Sequence, residues 1–230
     1  MSMSRGVGLE ALRRHQLAHL TPAGWAGLLA QSGASFEPMA QDCLHFWAEH
    51  DLPLVVTRQP GAGRVDPQGQ LALGLPAPAA WQRLRLALQV PLDSVARLGE
   101  FPPARQALPL LPALARAPMQ RLLDALQVLD CPARVHGSHG WQLISGQTCL
   151  RPSSDLDLCL PVQDRAQADA VALLLAAQDG SALPPLDGEL VWPDCAAVAW
   201  REWAAWRAGR TREVLVKRLH GVTLERGVGA

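Results

Sequence analysis

The stretch VHGSHGWQLISGQTCLRPSSDLDLCLPV (135–162) decides how the chain is read. In its last part, SDLDLCLPV (154–162), acids and leucines alternate with the period of two that a β-strand imposes. Asp155 and Asp157 therefore share one face, while Leu156, Leu158 and Leu160 turn to the core. Two carboxylates held close together repel each other unless a cation lies between them. Mg²⁺ takes hard oxygen ligands, one or two of them carboxylates, and completes its shell with substrate phosphates and water. The pair reads as a platform for Mg²⁺ and a triphosphate. Upstream, CPARVHGS (131–138) reads as a short strand ending in a Gly137-Ser138 turn. Glycine there lets the backbone approach a phosphate, and the serine hydroxyl and amide can donate to its oxygens. Between the two, WQLISGQTCL (141–150) reads as a hairpin turning near Gly146.

Around this stretch, strands and helices mix without strict βαβ alternation, so the fold class is α+β. PMQRLLDALQVLD (118–130) and RAQADAVALLLAAQ (165–178) have helical spacing. DGELVW (187–192) reads as a strand, AAVAWREWAAW (196–206) as a helix and REVLVKRL (212–219) as the strand that closes the sheet. Glu189 on DGELVW is the candidate third acid, able to hold a second metal and help deprotonate an attacking hydroxyl. Lys217, with Arg218 beside it, and Arg151 just before the acid pair are candidate phosphate contacts, since a cation there would stabilise developing charge. Trp200, Trp203 and Trp206 fall at helical spacing and read as core packing before base stacking. His136 and His139 flank Gly-Ser, but an oxygen-seeking ion gives them no ligand role.

The N-terminal part is less patterned. Residues 1–20 are basic and show no clear period. Thr21-Pro22 suits a helix start, Thr as cap and Pro in the first turn. A second helix is expected at about 37–49, then strands over LPLVVTR (52–58) and GQLALGLP (69–76). WQRLRLALQV (81–90) fits a strand or a helix face. Prolines crowd the region from Pro91 to Pro118, which marks the boundary. The expected layout is a smaller α+β N-terminal domain over 1–92, a Pro-rich connection over 93–117 and a catalytic domain over 118–230 with a mixed sheet and flanking helices.

Composition limits the alternatives. The 230 residues contain 21 basic and 21 acidic side chains, which speaks against a nucleic-acid-coating protein and predicts no nucleic-acid partner. Five cysteines, with no C-x-x-C pair, make a complete disulfide framework or zinc ribbon improbable and fit reduced thiols in a cytoplasm. No apolar run is long enough for a membrane span, and the first residues lack the apolar stretch of a signal peptide.

The Gly-Ser turn, Asp-x-Asp strand and later acid together resemble the nucleotidyltransferase superfamily. The fuller GSHGWQLISGQTCLRPSSDLDL (137–158), with PLVVTR (53–58), LALGLP (71–76), DGELVWPDCAAVAWREW (187–203) and VLVKRLHGVTL (214–224), is similar to the phosphoribosyl-dephospho-CoA transferases of malonate decarboxylase, or holo-acyl-carrier-protein synthases. One departure is Arg58 standing after Thr57, where a pair of arginines is expected. The resemblance implies a nucleotidyltransferase-like fold and a donor, 2′-(5″-triphosphoribosyl)-3′-dephospho-CoA. It implies an acceptor serine on the apo acyl-carrier subunit, release of pyrophosphate, and Mg²⁺ held by Asp155 and Asp157 with Gly137 and Ser138 against the triphosphate. Two alternatives stay open from sequence: transfer of a nucleoside monophosphate to a small molecule, and a non-catalytic adaptor with this fold.

Overall fold

Leucine-rich and β-branched segments that are buried on one side, or on both, build two separate sheets. A computed structural model describes residues 12–60, 69–178 and 180–228. The chain divides into two compact units. One covers the residues up to Glu100 and takes in 147–149 and 219–221; the other starts at Phe101 and holds the rest. The division falls inside the Pro-rich stretch.

In the N-terminal unit the strands are β1 (Leu17–Leu20), β2 (Leu54–Val56), β3 (Gln70–Pro76), β4 (Arg85–Pro91) and β5 (Val95–Gly99), ordered β4-β3-β2-β1-β5. Every pairing is antiparallel. Helices α1 (Pro22–Ser35) and α2 (Pro38–Glu49) follow β1. The Thr21 hydroxyl accepts from the Gly24 amide at 2.9 Å and caps α1, as its sequence predicts. β4 alternates exposed and buried residues along its length, which resolves the ambiguous segment as a strand.

Two strands of this sheet are absent from the sequence reading. β1 is an interior strand, between β2 and β5, and is buried at three of four positions, so it carries no alternation to detect. β5 lies within the Pro-rich stretch and pairs with β1. The rest of that stretch is ordered too: a 3-10 helix covers Ala104–Leu110, and α3 (Ala113–Val128) starts ahead of Pro118. Pro118 removes one backbone donor from α3, to the carbonyl of Leu114. Leu114 is 82% exposed, so water can replace that bond.

In the C-terminal unit the strands are β6 (Arg134–Val135), β7 (Leu156–Pro161), β8 (Leu186–Val191), β9 (Ala197–Ala199), β10 (Val214–Arg218) and β11 (Gly221–Glu225), ordered β11-β10-β9-β8-β7-β6. β7 and β8 run parallel, joined through α5 (Arg165–Ala176), and β6-β7, β8-β9 and β9-β10 are antiparallel. The sheet is mixed, so the molecule is α+β. Leu156, Leu158 and Leu160 of β7 are fully buried and meet Met119, Leu122 and Leu126 of α3 and Val171 of α5 in one core.

Two segments differ from expectation. AAVAWREWAAW is not one helix: its first part is β9, bridging β8 and β10, and α6 (Trp200–Arg207) follows. β10 does not close the sheet, because β11 returns alongside it as the edge. The tryptophans of this region are core. Trp192, Trp200 and Trp203 are buried, and the Trp203 indole donates to Asp169 at 2.9 Å. Trp203 packs between Trp192 and Trp206, with ring centres 5.1 Å away on each side. Trp203→Ala is therefore expected to destabilise this unit by about 3–5 kcal/mol, read by urea denaturation, because it leaves a large cavity.

All five cysteines are free. Burial pushes the thiols of Cys43 and Cys131 up to about 12, so both remain protonated at neutral pH.

Candidate active site

The Gly137-Ser138 turn and the first arm of the hairpin expected over 141–150 instead form one helix, α4 (Gly137–Ser145). Gly146, with φ of 67°, ends it in the left-handed conformation and bonds back to the Gln142 carbonyl. Glycine serves a tight hairpin and a helix end alike, so this residue could not tell the two apart. The face of α4 carrying His139, Gly140 and Trp141 is buried, and the Trp141 ring meets Phe101 edge-on at 5.4 Å.

Two glycines let α4 sit where it does. A Cβ on Gly140 would fall 2.5 Å from the Val135 carbonyl and 2.8 Å from Phe101, so the helix packs onto β6 only without a side chain there. Gly137 opens the helix at φ +56°, and a Cβ on it would fall 1.8 Å from an Asp157 carboxylate oxygen. The Asp157 carboxylate thus lies directly against the first turn of α4. The helix dipole and its unbonded first amides favour negative charge there. The His136 amide, donating to the Asp157 carbonyl at 3.0 Å, ties the strand to the helix start. Ser138, half-buried, is the second residue of that turn.

The alternation expected of the Asp-Leu-Asp strand is present. The leucines are fully buried, Asp157 is half-buried, and Asp155, just before β7 begins, is exposed. Both acids stand on the face away from the leucines. His139, 3% exposed, lies against the backbone of Asp155. Burial holds its imidazole below the ordinary histidine value, and a hydrogen bond to the Asp155 backbone pulls the other way.

The other candidates are arranged differently from expectation. The parallel register sets Asp157 beside Asp187, and Cys159 beside Glu189. Asp187, not singled out from sequence, is thus the acid level with Asp157; its carboxylate accepts from the Gly188 amide at 2.8 Å. Glu189 lies two residues farther along β8, where Lys217 donates to its carboxylate at 2.7 Å. The structure joins two residues that the sequence had assigned separate roles, third acid and phosphate contact. LDGEL puts Asp187 and Glu189 on the same face, and only the strand register tells which is level with Asp157. Arg151 is exposed on the turn before Asp155, and its amide donates to the Ser154 hydroxyl. Glu189 is 13% exposed, so Lys217→Met, which removes its cation, is expected to cost about 2 kcal/mol. Adding Glu189→Gln should recover part of that loss in the same denaturation measurement.

Among the described residues no group of three or more His, Cys, Asp or Glu side chains is placed to hold a metal by itself. Mg²⁺ does not need such a cage. It takes one or two carboxylates and brings substrate phosphates and water, so a pair of acids beside a helix N-terminus fits it.

Comparison with known proteins shows the family. The N-terminal domain model of the phosphoribosyl-dephospho-CoA transferases (MdcG) matches residues 13–101, and the C-terminal domain model matches 97–227. The chain belongs to this family. It is a transferase. A phosphoribosyl-dephospho-CoA transferase of Xanthomonas campestris pv. campestris is 36% identical over 193 residues, covering 81% of this chain and 84% of the relative. One of Bradyrhizobium diazoefficiens is 34% identical over 211 residues, covering 92% and 88%. One of Pseudomonas fluorescens is 33% identical over 180 residues, covering 78% and 80%. No solved structure matches the chain. No described helix is long and apolar enough to cross a membrane.

Proposed function

We propose that the chain attaches a phosphoribosyl-dephospho-CoA group to a serine of the apo acyl-carrier subunit of malonate decarboxylase, in the cytoplasm, using 2′-(5″-triphosphoribosyl)-3′-dephospho-CoA as donor. The serine oxygen bonds to the α-phosphorus of the donor's triphosphate. The bond from that phosphorus to the bridging oxygen breaks, pyrophosphate leaves, and the serine proton passes to solvent. The observation that carries this reading is the Asp157 carboxylate set against the Gly137 end of α4, in a chain matched along most of its length by the transferase family.

In this proposal Asp155 and Asp157 hold Mg²⁺, which neutralises the triphosphate when bound. The first amides of α4 and the Ser138 hydroxyl donate to phosphate oxygens, as helix N-termini do. Asp187, level with Asp157, is the third acid the arrangement favours over Glu189, whose charge Lys217 already meets. Incubation of the purified chain with apo carrier, donor and Mg²⁺ tests the whole. Intact-protein mass spectrometry should show the carrier heavier by one prosthetic group, and an unchanged carrier mass would sink the proposal.

A further inference from the structure

Strand β6 ends the sheet of the C-terminal unit and pairs antiparallel with β7, Arg134 opposite Cys159 and Val135 opposite Leu158. Directly opposed residues of such a pair point to the same side. Val135 accordingly joins Leu158 in the core, and both are fully buried. Cys159 lies two residues along β7 from Asp157 and shares its face. Arg134 therefore rises from the face that carries the acids, on the strand next to theirs. Two residues of strand span about 7 Å, so the guanidinium and the Asp157 carboxylate border one stretch of that face. Three residues after Arg134, Gly137 opens α4 against the same carboxylate.

Arg134 is half-buried, and its guanidinium donates to the Phe101 carbonyl at 2.7 Å. The backbone around it is tied down as well. The Ala104 amide donates to the Ala133 carbonyl and the Val135 amide to the Pro102 carbonyl, each at 2.9 Å. A carbonyl aims a guanidinium without neutralising it. The fork has five N–H donors, and among the described residues no carboxylate pairs with it. The two cations that the sequence put forward for phosphate are placed otherwise. Lys217 is bonded to Glu189, and Arg151 is exposed on the turn before Asp155. A planar guanidinium matches phosphate oxygens in pairs, so an aimed fork with donors to spare suits a polyphosphate lying on this face.

We propose that Arg134 contacts the triphosphate of the donor and holds the pyrophosphate that leaves. The proposal rests on the transferase reading for the identity of the ligand. Pyrophosphate with Mg²⁺ is the probe, because it is the leaving group and needs no carrier to bind. Titration calorimetry on the full chain should show saturable binding. Arg134→Gln removes the charge and keeps an amide able to donate to the Phe101 carbonyl. It should weaken pyrophosphate binding at least about tenfold, the scale of one lost charge-assisted contact, and raise KM for the donor. Arg134→Lys, which restores the charge, should recover part of both. Arg121→Gln, the same charge change at an exposed position of α3, should alter neither. Circular dichroism melting checks that each variant folds. Wild-type pyrophosphate affinity in folded Arg134→Gln overturns the assignment, as does the absence of binding to the folded wild-type chain. Binding in Arg134→Lys no tighter than in Arg134→Gln also overturns it, since the carbonyl bond and not the charge would then be what matters. The two readings fail separately. Pyrophosphate binding that Arg134→Gln weakens, without any carrier modification, leaves this contact standing and removes the transfer reaction. Carrier modification with unchanged pyrophosphate affinity in Arg134→Gln does the reverse.

Discussion

Gly137→Ala is expected to lower carrier modification by at least about a hundredfold, the scale of losing one preorganised contact to developing charge. A β-carbon on residue 137 would overlap the Asp157 carboxylate at 1.8 Å, far inside van der Waals contact. The φ of +56° is also one that alanine adopts only with strain. Either α4 shifts away from β7 or the carboxylate turns aside, and both separate the acid from the helix N-terminus. The damage is local, because the leucine side of β7 and the core below are untouched. The variant should keep its native circular dichroism while turnover collapses. Full activity in folded Gly137→Ala would mean that the contact between the helix end and the acid has no part in the chemistry.

The second large effect is expected at the acids themselves. Asp157→Asn and Asp155→Asn each keep the side chain's size and remove its charge. Asp157 touches the helix end and shares its face with Asp155, so each change should cost about 10²–10³-fold in kcat if that face holds Mg²⁺ against the triphosphate. Stability should hardly change at Asp155, which is exposed. Asp187→Asn should reduce kcat more than Glu189→Gln, since Asp187 is level with Asp157 and Glu189 is bonded to Lys217. Raising Mg²⁺ should partly restore a weakened site, a response that a purely structural defect would not give. Wild-type rates in both Asp155→Asn and Asp157→Asn would place the chemistry elsewhere.

Much of this site was readable because its signals are local. Alternation along 154–162 assigned the strand and its two faces; Gly137-Ser138 was read as a turn approaching a phosphate, and the structure sets Gly137 against the Asp157 carboxylate. The elements misread share one feature, that their partners are distant in sequence. Gly146 supports a hairpin or a helix end, and the choice of helix depends on Trp141 finding Phe101. β1 lacks a pattern because it is an interior strand, and β9 is a strand because β8 and β10 lie on either side of it. The register that sets Asp187 level with Asp157 was hidden for the same reason: acids two apart on one strand are equivalent until a parallel neighbour sets the register.

The sequence by itself determined the α+β class, the shared face of Asp155 and Asp157, the cap of α1 and the core role of the tryptophans, because side-chain period and capping act over a few residues. Tertiary structure alone decided that the Gly-Ser segment opens a helix, that Asp187 stands beside Asp157 and that Lys217 belongs to Glu189. Those facts depend on strand register and helix packing, which bring together residues that no local pattern connects.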